Sequence, residues 1–285
     1  MVPPMIPPVE VLKLPVPSGK TALMQHLQTL VLRGNVWWIG GITAPHKVAG
    51  LASKMAARYP ILRGERGRTY DRSKGLAGAH FIAYPSVGGI AWWVLTSGGA
   101  GGLKCDGALD EKLARHAMTA HGHIEFEDYV LLYAHKKDAR TIRDAATGRE
   151  KRLIKDCSTW TWKMTGRAYS EVLASIDGEV KLLNYGQEEP VMNGVRGVLA
   201  FQRRRPLFSG VRAQVLELHR EADSQWGRVK KAWRGQHPHL TAKYGDKAGE
   251  LRSLREITAY HLPKMGRFRV FNDVTLNDLQ LGHSI

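Results

Sequence analysis

Apolar side chains are concentrated in two runs within Ala77–Ser97, and a short link that holds Pro85 and two glycines separates the runs. Runs of aliphatic and aromatic residues around such a link predict a β-hairpin, here with a loop of more than two residues. Neighbouring side chains of a strand point to opposite faces of its sheet, so Trp92 and Trp93 are expected on opposite faces. One indole is therefore expected in a core, and the other lies either under a second layer or on an open platform.

The same kind of pattern predicts further elements along the chain. Strands are predicted at Leu27–Val31, Asn35–Gly40, Asp128–His135 and Ser158–Met164. Helical spacing of apolar residues predicts two helices, one with Val48, Leu51, Met55 and Tyr59, the other starting at Thr165 with Tyr169, Val172, Leu173 and Ile176. The expected fold class is α+β: a mostly antiparallel sheet with helices on one face, followed by a basic helical region.

Composition changes along the chain and predicts three parts. Residues 1–24 are rich in proline, which favours an extended arm. Residues 25–180 are the predicted α+β sheet domain, and the polar segment Asp177–Glu189 is its predicted boundary. Residues 190–285 are predicted to form a basic, mainly helical C-terminal region.

The strongest helical pattern of the chain lies in this last part. A helix is predicted from Ser209, because apolar residues recur from Val211 to Trp233 at spacings of three and four. A second helix is predicted at Asp246–Ile257, and a short strand within Arg267–Leu281.

Basic residues exceed acidic ones, with 42 Lys and Arg against 26 Asp and Glu and a formal charge of +16. Three segments hold the excess: Leu62–Lys74 carries +3, Lys136–Lys155 carries +5 and Phe201–Arg269 carries +10, which leaves −2 for the rest. Charge confined in this way is typical of a surface that binds a polyanion. The alternatives are charge that serves solubility, or a ribosome-like protein with evenly spread charge.

The basic clusters supply the predicted nucleic-acid contacts. The first cluster lies in Arg63–Gly75, which is predicted to be a mobile loop because it holds nothing to bury. The predicted phosphate-binding residues are Arg63, Arg66, Arg68, Arg72, Lys74, Arg203, Arg204, Arg205, Arg228, Lys230, Lys231 and Arg234. Trp226 and Trp233 interleave with the last cluster, but their spacing favours a core position over base stacking.

Two His-x-His pairs, His121/His123 and His237/His239, are the strongest metal-ligand pattern in the chain. Gly122 and Pro238 separate the histidines and indicate loops, so exposed or satisfied loop histidines are expected. Neither HExxH nor CxxC nor a group of carboxylates occurs. We therefore predict no metal site and no cofactor.

Metal-independent RNA cleavage requires much less of a sequence. It requires a histidine, tyrosine or lysine near a 2′-hydroxyl and cations for the charge that develops. His46, Tyr70, His80 and Tyr84 are the candidates for this chemistry, and the catalytic residues stay unknown at this point.

Four strings, IAWWVLT, FEDYVLL, STWTWKMT and RPLFSGVRAQV, lie in separate patches between Ile90 and Val215. The set resembles uncharacterised proteins carried on bacterial plasmids and integrative elements. The resemblance implies a mobile-element context and no particular reaction.

The sequence as a whole predicts a cytoplasmic protein that binds DNA or RNA mainly through phosphates. A metal-independent endoribonuclease or a replication or processing enzyme is the alternative, and a structural subunit of a nucleoprotein assembly is a third, with protein partners. No apolar run reaches the ~20 residues that a membrane span needs, and no secretory signal is evident. Cys105 and Cys157 are expected to be reduced thiols.

Overall fold

A computed structural model of the chain describes residues 9–103, 113–135, 137–143, 150–182, 188–236, 262, 265–266 and 269–281. It describes only the backbone of residues 137–143, 151–155, 188–192, 230, 233 and 234. Helices and antiparallel sheets are mixed, which confirms the α+β class. The predictions made for Cys105, His237, His239 and the helix at Asp246–Ile257 lie outside the described residues.

The chain forms two compact units. Unit 1 contains residues 1–124, 131–160 and 267–285, and unit 2 contains residues 125–130 and 161–266. The contacts therefore group the end of the chain with unit 1, whereas the sequence analysis placed it with the helices from residue 190 onwards. None of the described helices is long and apolar enough to cross a membrane.

The first part of the chain supplies helices and strands to unit 1. They are α1 (Val9–Leu12), β1 (Pro15–Pro17), α2 (Lys20–Leu32), β2 (Trp37–Thr43), α3 (Val48–Arg58), α4 (Glu65–Ser73), β3 (Ala79–Ser86), β4 (Gly89–Thr96) and β5 (Arg115–His116). Strand β11 (Phe271–Thr275) and helix α8 (Leu276–Gln280) return from the end of the chain, and β11 pairs with β1 in an antiparallel arrangement.

Strands β3, β4, β2 and β5 form an antiparallel sheet in that order. The hairpin β3–β4 confirms the two predicted strands, but its link is shorter than expected. Ser86 pairs with Gly89, so Val87 and Gly88 make a two-residue turn. Gly88 has a φ of 89°, and a Cβ atom on Gly89 would lie 2.5 Å from the carbonyl oxygen of Thr43. The glycines thus permit the tight turn.

Both faces of the sheet are covered at the twin tryptophans. Trp92 is half-buried in a cluster with Phe81, and the two rings stack with centroids 6.5 Å apart. Helices α3 and α8 supply buried side chains to the same cluster. Trp93 is buried on the opposite face. Neither indole is an open platform for bases.

Helix α2 contradicts one prediction and part of another. The segment Leu27–Val31 was expected to be a strand, and residues 20–24 were expected to belong to the extended arm 1–24, of which residues 1–8 lie outside the described residues. Instead Leu23, Leu27 and Leu30 fall on one buried side of a helix that begins at Lys20. A short apolar run fits both periodicities, and the burial of this side in the fold decides for the helix.

Most of the segment Arg63–Gly75 forms helix α4 (Glu65–Ser73), and the prediction of a mobile loop with nothing to bury is wrong. Asp71 is buried, and both of its carboxylate oxygens accept hydrogen bonds from Arg63, at 3.1 and 3.2 Å. The helix ends before Gly75, whose φ of 76° suits a residue without a side chain. The ion pair between Arg63 and Asp71, eight residues apart in the chain, thus holds a very polar helix in place.

The remaining described strands follow β5 along the chain. They are β6 (Ile124–Phe126), β7 (Tyr129–Ala134), β8 (Lys137–Arg143), β9 (Glu150–Asp156) and β10 (Thr159–Met164). Strands β10, β7 and β6 form a sheet in that order, and β8 and β9 form an antiparallel hairpin in the basic insert. Strands β7 and β10 confirm the predictions for Asp128–His135 and Ser158–Met164.

Within the part of the chain that the structure describes, unit 2 contains the helices α5 (Gly166–Lys181), α6 (Glu188–Gln202) and α7 (Ser209–Gln236), which pack against one another. The predicted start of α5 is confirmed, because the hydroxyl of Thr165 accepts a hydrogen bond from the Ala168 amide. The predicted boundary at Asp177–Glu189 falls partly inside α5. The predicted apolar stripe of α7 is confirmed as far as Trp226, which is 1% exposed.

Candidate functional site

A cavity of about 380 Å³ lies within unit 1. Its walls come from α2, α4 and β3, with further residues from β1 and β11. Among the described residues, those that line it are Leu14, Pro15, His26, Thr29, Leu30, Arg33, Asn35, Ile61, Glu65, Arg68, Arg72, Gly78, His80, Phe81, Ile82, Val270 and Phe271. The volume lies within the range of small-molecule sites.

Helix α2 supplies one set of polar side chains to the cavity. His26, Thr29 and Arg33 follow at spacings of three and four, so they lie on one side of α2 and its C-terminal end. The His26 imidazole meets the ring of Phe271 edge to face, with centroids 4.9 Å apart. Arg33 is exposed, and its guanidinium lies 3.3 Å from the carboxylate of Glu65 on α4.

Helix α4 supplies a second set of side chains, which are charged, with the same spacing. Glu65, Arg68 and Arg72 recur at spacings of three and four and line the cavity together. Arg68 is half-buried and donates a hydrogen bond to the Ala79 carbonyl oxygen at 3.4 Å. The Nε of Arg72 donates to the Arg68 carbonyl oxygen at 3.4 Å, which leaves both terminal nitrogens of its guanidinium outside that bond. The Arg63–Asp71 pair fixes the helix that presents them.

Strand β3 places His80 in the cavity, and the surroundings keep both histidines uncharged. Burial, followed by the charge of Arg68, lowers the pKa of His80 to about 3. Burial, followed by the charge of Arg33, lowers the pKa of His26 to about 4, and the charge of a protonated His26 further disfavours protonation of His80. Burial also lowers the pKa of Arg68. A further positive charge is therefore costly in this cavity, and a negative one is favoured.

The cavity thus combines two chemistries. Three arginines face a single glutamate among the described lining residues, and arginine guanidinium groups suit phosphate and carboxylate anions. Leu14, Ile61 and Val270 supply apolar walls. An anion joined to an apolar or aromatic ring matches this lining.

The structure separates the first predicted basic cluster into different roles. Arg68 and Arg72 line the cavity, whereas Arg63 is engaged by Asp71. Arg66 is exposed on the same helix but is not part of the lining. Lys74 is also exposed, and its ammonium group lies 5.7 Å from the centroid of the Tyr70 ring.

The predicted cluster Arg203–Arg205 belongs to unit 2 and is largely engaged within it. Arg205 is 14% exposed in its side chain, and it donates hydrogen bonds to the Tyr129 hydroxyl at 3.1 Å and to the Gln202 side chain at 2.6 Å. Arg203 is half-buried near His219, and burial followed by the Arg203 charge lowers the pKa of His219 to about 4. Arg204 is exposed.

The last predicted cluster lies on α7, also in unit 2. Arg228 is exposed and lies 3.3 Å from the carboxylate of Glu221, and Lys231 is exposed. The side chains of Lys230, Arg234 and Trp233 lie outside the described residues.

Substitution within the Arg203–Arg205 cluster is expected to separate structural from exposed arginines. Arg205→Ala should lower the free energy of unfolding of unit 2 by about 1–3 kcal/mol, because it leaves the buried Tyr129 hydroxyl without this partner. Arg204→Ala should change it by less than about 0.5 kcal/mol. Urea denaturation of the two variants measures the difference, and equal midpoints would contradict the structural role of Arg205.

The other predicted histidines and tyrosines do not line the cavity. His46, His121 and Tyr70 are exposed, and His123 and Tyr84 are half-buried. No group of three His, Cys, Asp or Glu side chains in the described part of the chain is placed to hold a metal ion. His80 alone of the four candidates for metal-independent cleavage reaches the cavity.

Sequence reasoning missed His26 and Arg33. The prediction of a strand at Leu27–Val31 concealed them, because His26 and Arg33 share a side only when the segment is helical. The signal in the sequence was a spacing of three and then four residues between polar side chains. It occurs at His26, Thr29 and Arg33, and again at Glu65, Arg68 and Arg72.

No protein-family model matches the chain, and neither the curated proteins nor the solved structures give a significant match.

Proposed function

We propose that the protein binds nucleic acid and that a backbone phosphate occupies the cavity of unit 1. The observation that carries the proposal is the convergence of Arg33, Arg68 and Arg72 on one cavity beside two uncharged histidines. The proposal places the protein in the cytoplasm together with its DNA or RNA partner. The exposed basic residues of each unit outside the cavity, such as Arg66 and Arg204, add further contacts to phosphates.

The number of positive charges does not by itself make a cavity a better site for a phosphate than a flat basic surface. The partial burial of its arginines does. A half-buried arginine such as Arg68 has already lost part of its hydration, so its hydrogen bonds to an anion gain more than those of an exposed one. The apolar walls then suit the sugar or base next to that phosphate.

The experiment compares two arginines of one helix. Arg72→Ala removes a cavity guanidinium, and Arg66→Ala removes an exposed charge from the same helix and leaves the cavity lining intact. We expect Arg72→Ala to weaken binding of a labelled single-stranded oligonucleotide about tenfold or more, and Arg66→Ala to weaken it much less. Fluorescence anisotropy titrations measure both affinities.

Salt dependence gives a second measure from the same titrations. The logarithm of the affinity should fall with the logarithm of the salt concentration, by ~0.7 per phosphate contact on single strands and ~0.9 on duplex DNA. Arg72→Ala should reduce the slope by about one contact. An affinity that does not change between low and physiological salt, or equal effects of Arg66→Ala and Arg72→Ala, would remove the cavity from the proposal.

A further inference from the structure

Phosphate binding by itself does not account for the two histidines of the cavity. His26 comes from α2 and His80 from β3, and each lies partly buried beside arginines that oppose its protonation. A cavity that only held a phosphate would gain more from a permanent cation at either position. A neutral imidazole instead offers one nitrogen that accepts a proton and one that donates.

We propose that this cavity cleaves RNA without a metal ion, with one of the two histidines, His26 and His80, as the general base and the other as the general acid. The activity rests on the proposed function, because the scissile phosphate is the phosphate seated among the arginines. It names RNA as the substrate class, since the nucleophile is the ribose 2′-hydroxyl.

The reaction is an internal transesterification. The uncharged histidine takes the proton of the 2′-hydroxyl while the 2′-oxygen forms a bond to phosphorus. The bond from phosphorus to the 5′-oxygen breaks, and that oxygen takes a proton from the other histidine, which is protonated at the start. The products are a 2′,3′-cyclic phosphate and a 5′-hydroxyl, and proton exchange with water returns both histidines to their starting states. No electrons are transferred between molecules and no co-reactant is consumed.

The arginines supply what this reaction requires besides the proton transfers. Negative charge builds up on the phosphoryl oxygens in the transition state, and Arg68 and Arg72 present N–H donors to the cavity where that charge develops. Arg33 adds a third cation at the exposed side, where Glu65 partly offsets it.

The charges that face the two histidines control their protonation. Arg33 lies at the end of α2, and Glu65, Arg68 and Arg72 lie on α4. A bound phosphodiester offsets these cations and so favours protonation of a histidine. The histidine that takes up this proton is the general acid. The reaction therefore has its optimum below neutral pH, because the acid form of one histidine is needed while the other stays uncharged.

The test uses the full chain and an oligodeoxynucleotide that carries one ribonucleotide, in the presence of EDTA. We expect cleavage at the ribonucleotide with a 2′,3′-cyclic phosphate end, a bell-shaped rate profile with an acidic optimum, and no cleavage of the all-deoxy strand. His26→Ala and His80→Ala should each lower the rate about 10²- to 10⁴-fold. His46→Ala, which removes an exposed histidine outside the cavity, should leave the rate unchanged.

Binding of the all-deoxy strand is measured alongside to separate the two proposals. Binding without cleavage over the whole pH range overturns the activity and leaves the proposed function standing, whereas loss of binding overturns both. Cleavage only with added Mg²⁺ or Mn²⁺, or a rate that both histidine variants retain, also overturns the proposal. Because alanine at either position could unfold unit 1, His26→Gln and His80→Gln are assayed too, and retained binding of the deoxy strand confirms that each variant is folded.

Discussion

Acidification from pH 7 to pH 4 is expected to destabilise unit 1 by about 6 kcal/mol through His26 and His80 alone. Both histidines have pKa values below the ordinary 6.5, about 4 for His26 and about 3 for His80. The unfolded chain therefore binds more protons than the folded one below pH 6.5, and stability falls as the pH falls from there towards 3. Each pKa unit corresponds to about 1.4 kcal/mol.

The control is the double variant His26→Gln with His80→Gln. Glutamine does not titrate, so the variant should lose much less stability than the natural chain over the same pH range. Urea denaturation at pH 7, 6, 5 and 4 gives the free energy of unfolding of both proteins. Parallel pH profiles would show that the two histidines are not held uncharged in the fold.

Bound nucleic acid should oppose this loss of stability. A phosphate in the cavity offsets the charges of Arg33, Arg68 and Arg72, so the pKa values of both histidines should rise towards 6.5. We expect an oligonucleotide to stabilise the chain more at pH 5 than at pH 7, as measured by the shift of the unfolding midpoint. A shift of the midpoint that is the same at both pH values would show that the bound phosphate does not change the pKa values of the histidines.

Trp162→Ala is expected to lower the unfolding free energy of unit 2 by about 3–5 kcal/mol. The Trp162 side chain is fully buried, and its ring lies 6.4 Å from that of Phe208, measured between centroids. Removal of the indole leaves a cavity that the neighbouring backbone cannot fill, because Gly210 packs directly against the Trp162 carbonyl oxygen.

The matched control is another aromatic residue of the same unit. Phe201 is 62% exposed, so Phe201→Ala should change the unfolding free energy by less than about 0.5 kcal/mol. Circular dichroism during urea denaturation measures both variants, and similar losses for the two would contradict the assignment of Trp162 to the core. Trp226 offers an independent check, since it is 1% exposed on the stripe of α7.

Long periodic segments could be predicted from the sequence because their pattern is local. The buried side of α3, the cap of α5 at Thr165 and the stripe of α7 from Val211 to Trp226 all follow from residues within one element. The β3–β4 hairpin was predicted for the same reason, although its turn was taken to be longer. Such segments carry enough apolar residues at either helical spacing or strand alternation to exclude the other kind of element.

The roles of single arginines could not be predicted, because each depends on a partner far along the chain or on burial. Arg63 and Arg72 look alike in the sequence, yet one is held by the buried Asp71 and the other lines the cavity. Arg205 was predicted to bind phosphate, but Tyr129, 76 residues away, accepts its hydrogen bond. Charge patterning counts these residues equally, whereas the fold divides them into structural and accessible ones.

The sequence by itself determined the α+β class, the excess of positive charge and the positions of the strongly periodic helices. Only the tertiary structure decided that Leu27–Val31 is helical and that His26 and His80 line one cavity with arginines from α4. The physical reason is the range of the interactions. Periodicity and charge are properties of neighbouring residues, whereas a cavity and the pKa values within it arise from burial and from charges that come together only when separate elements pack.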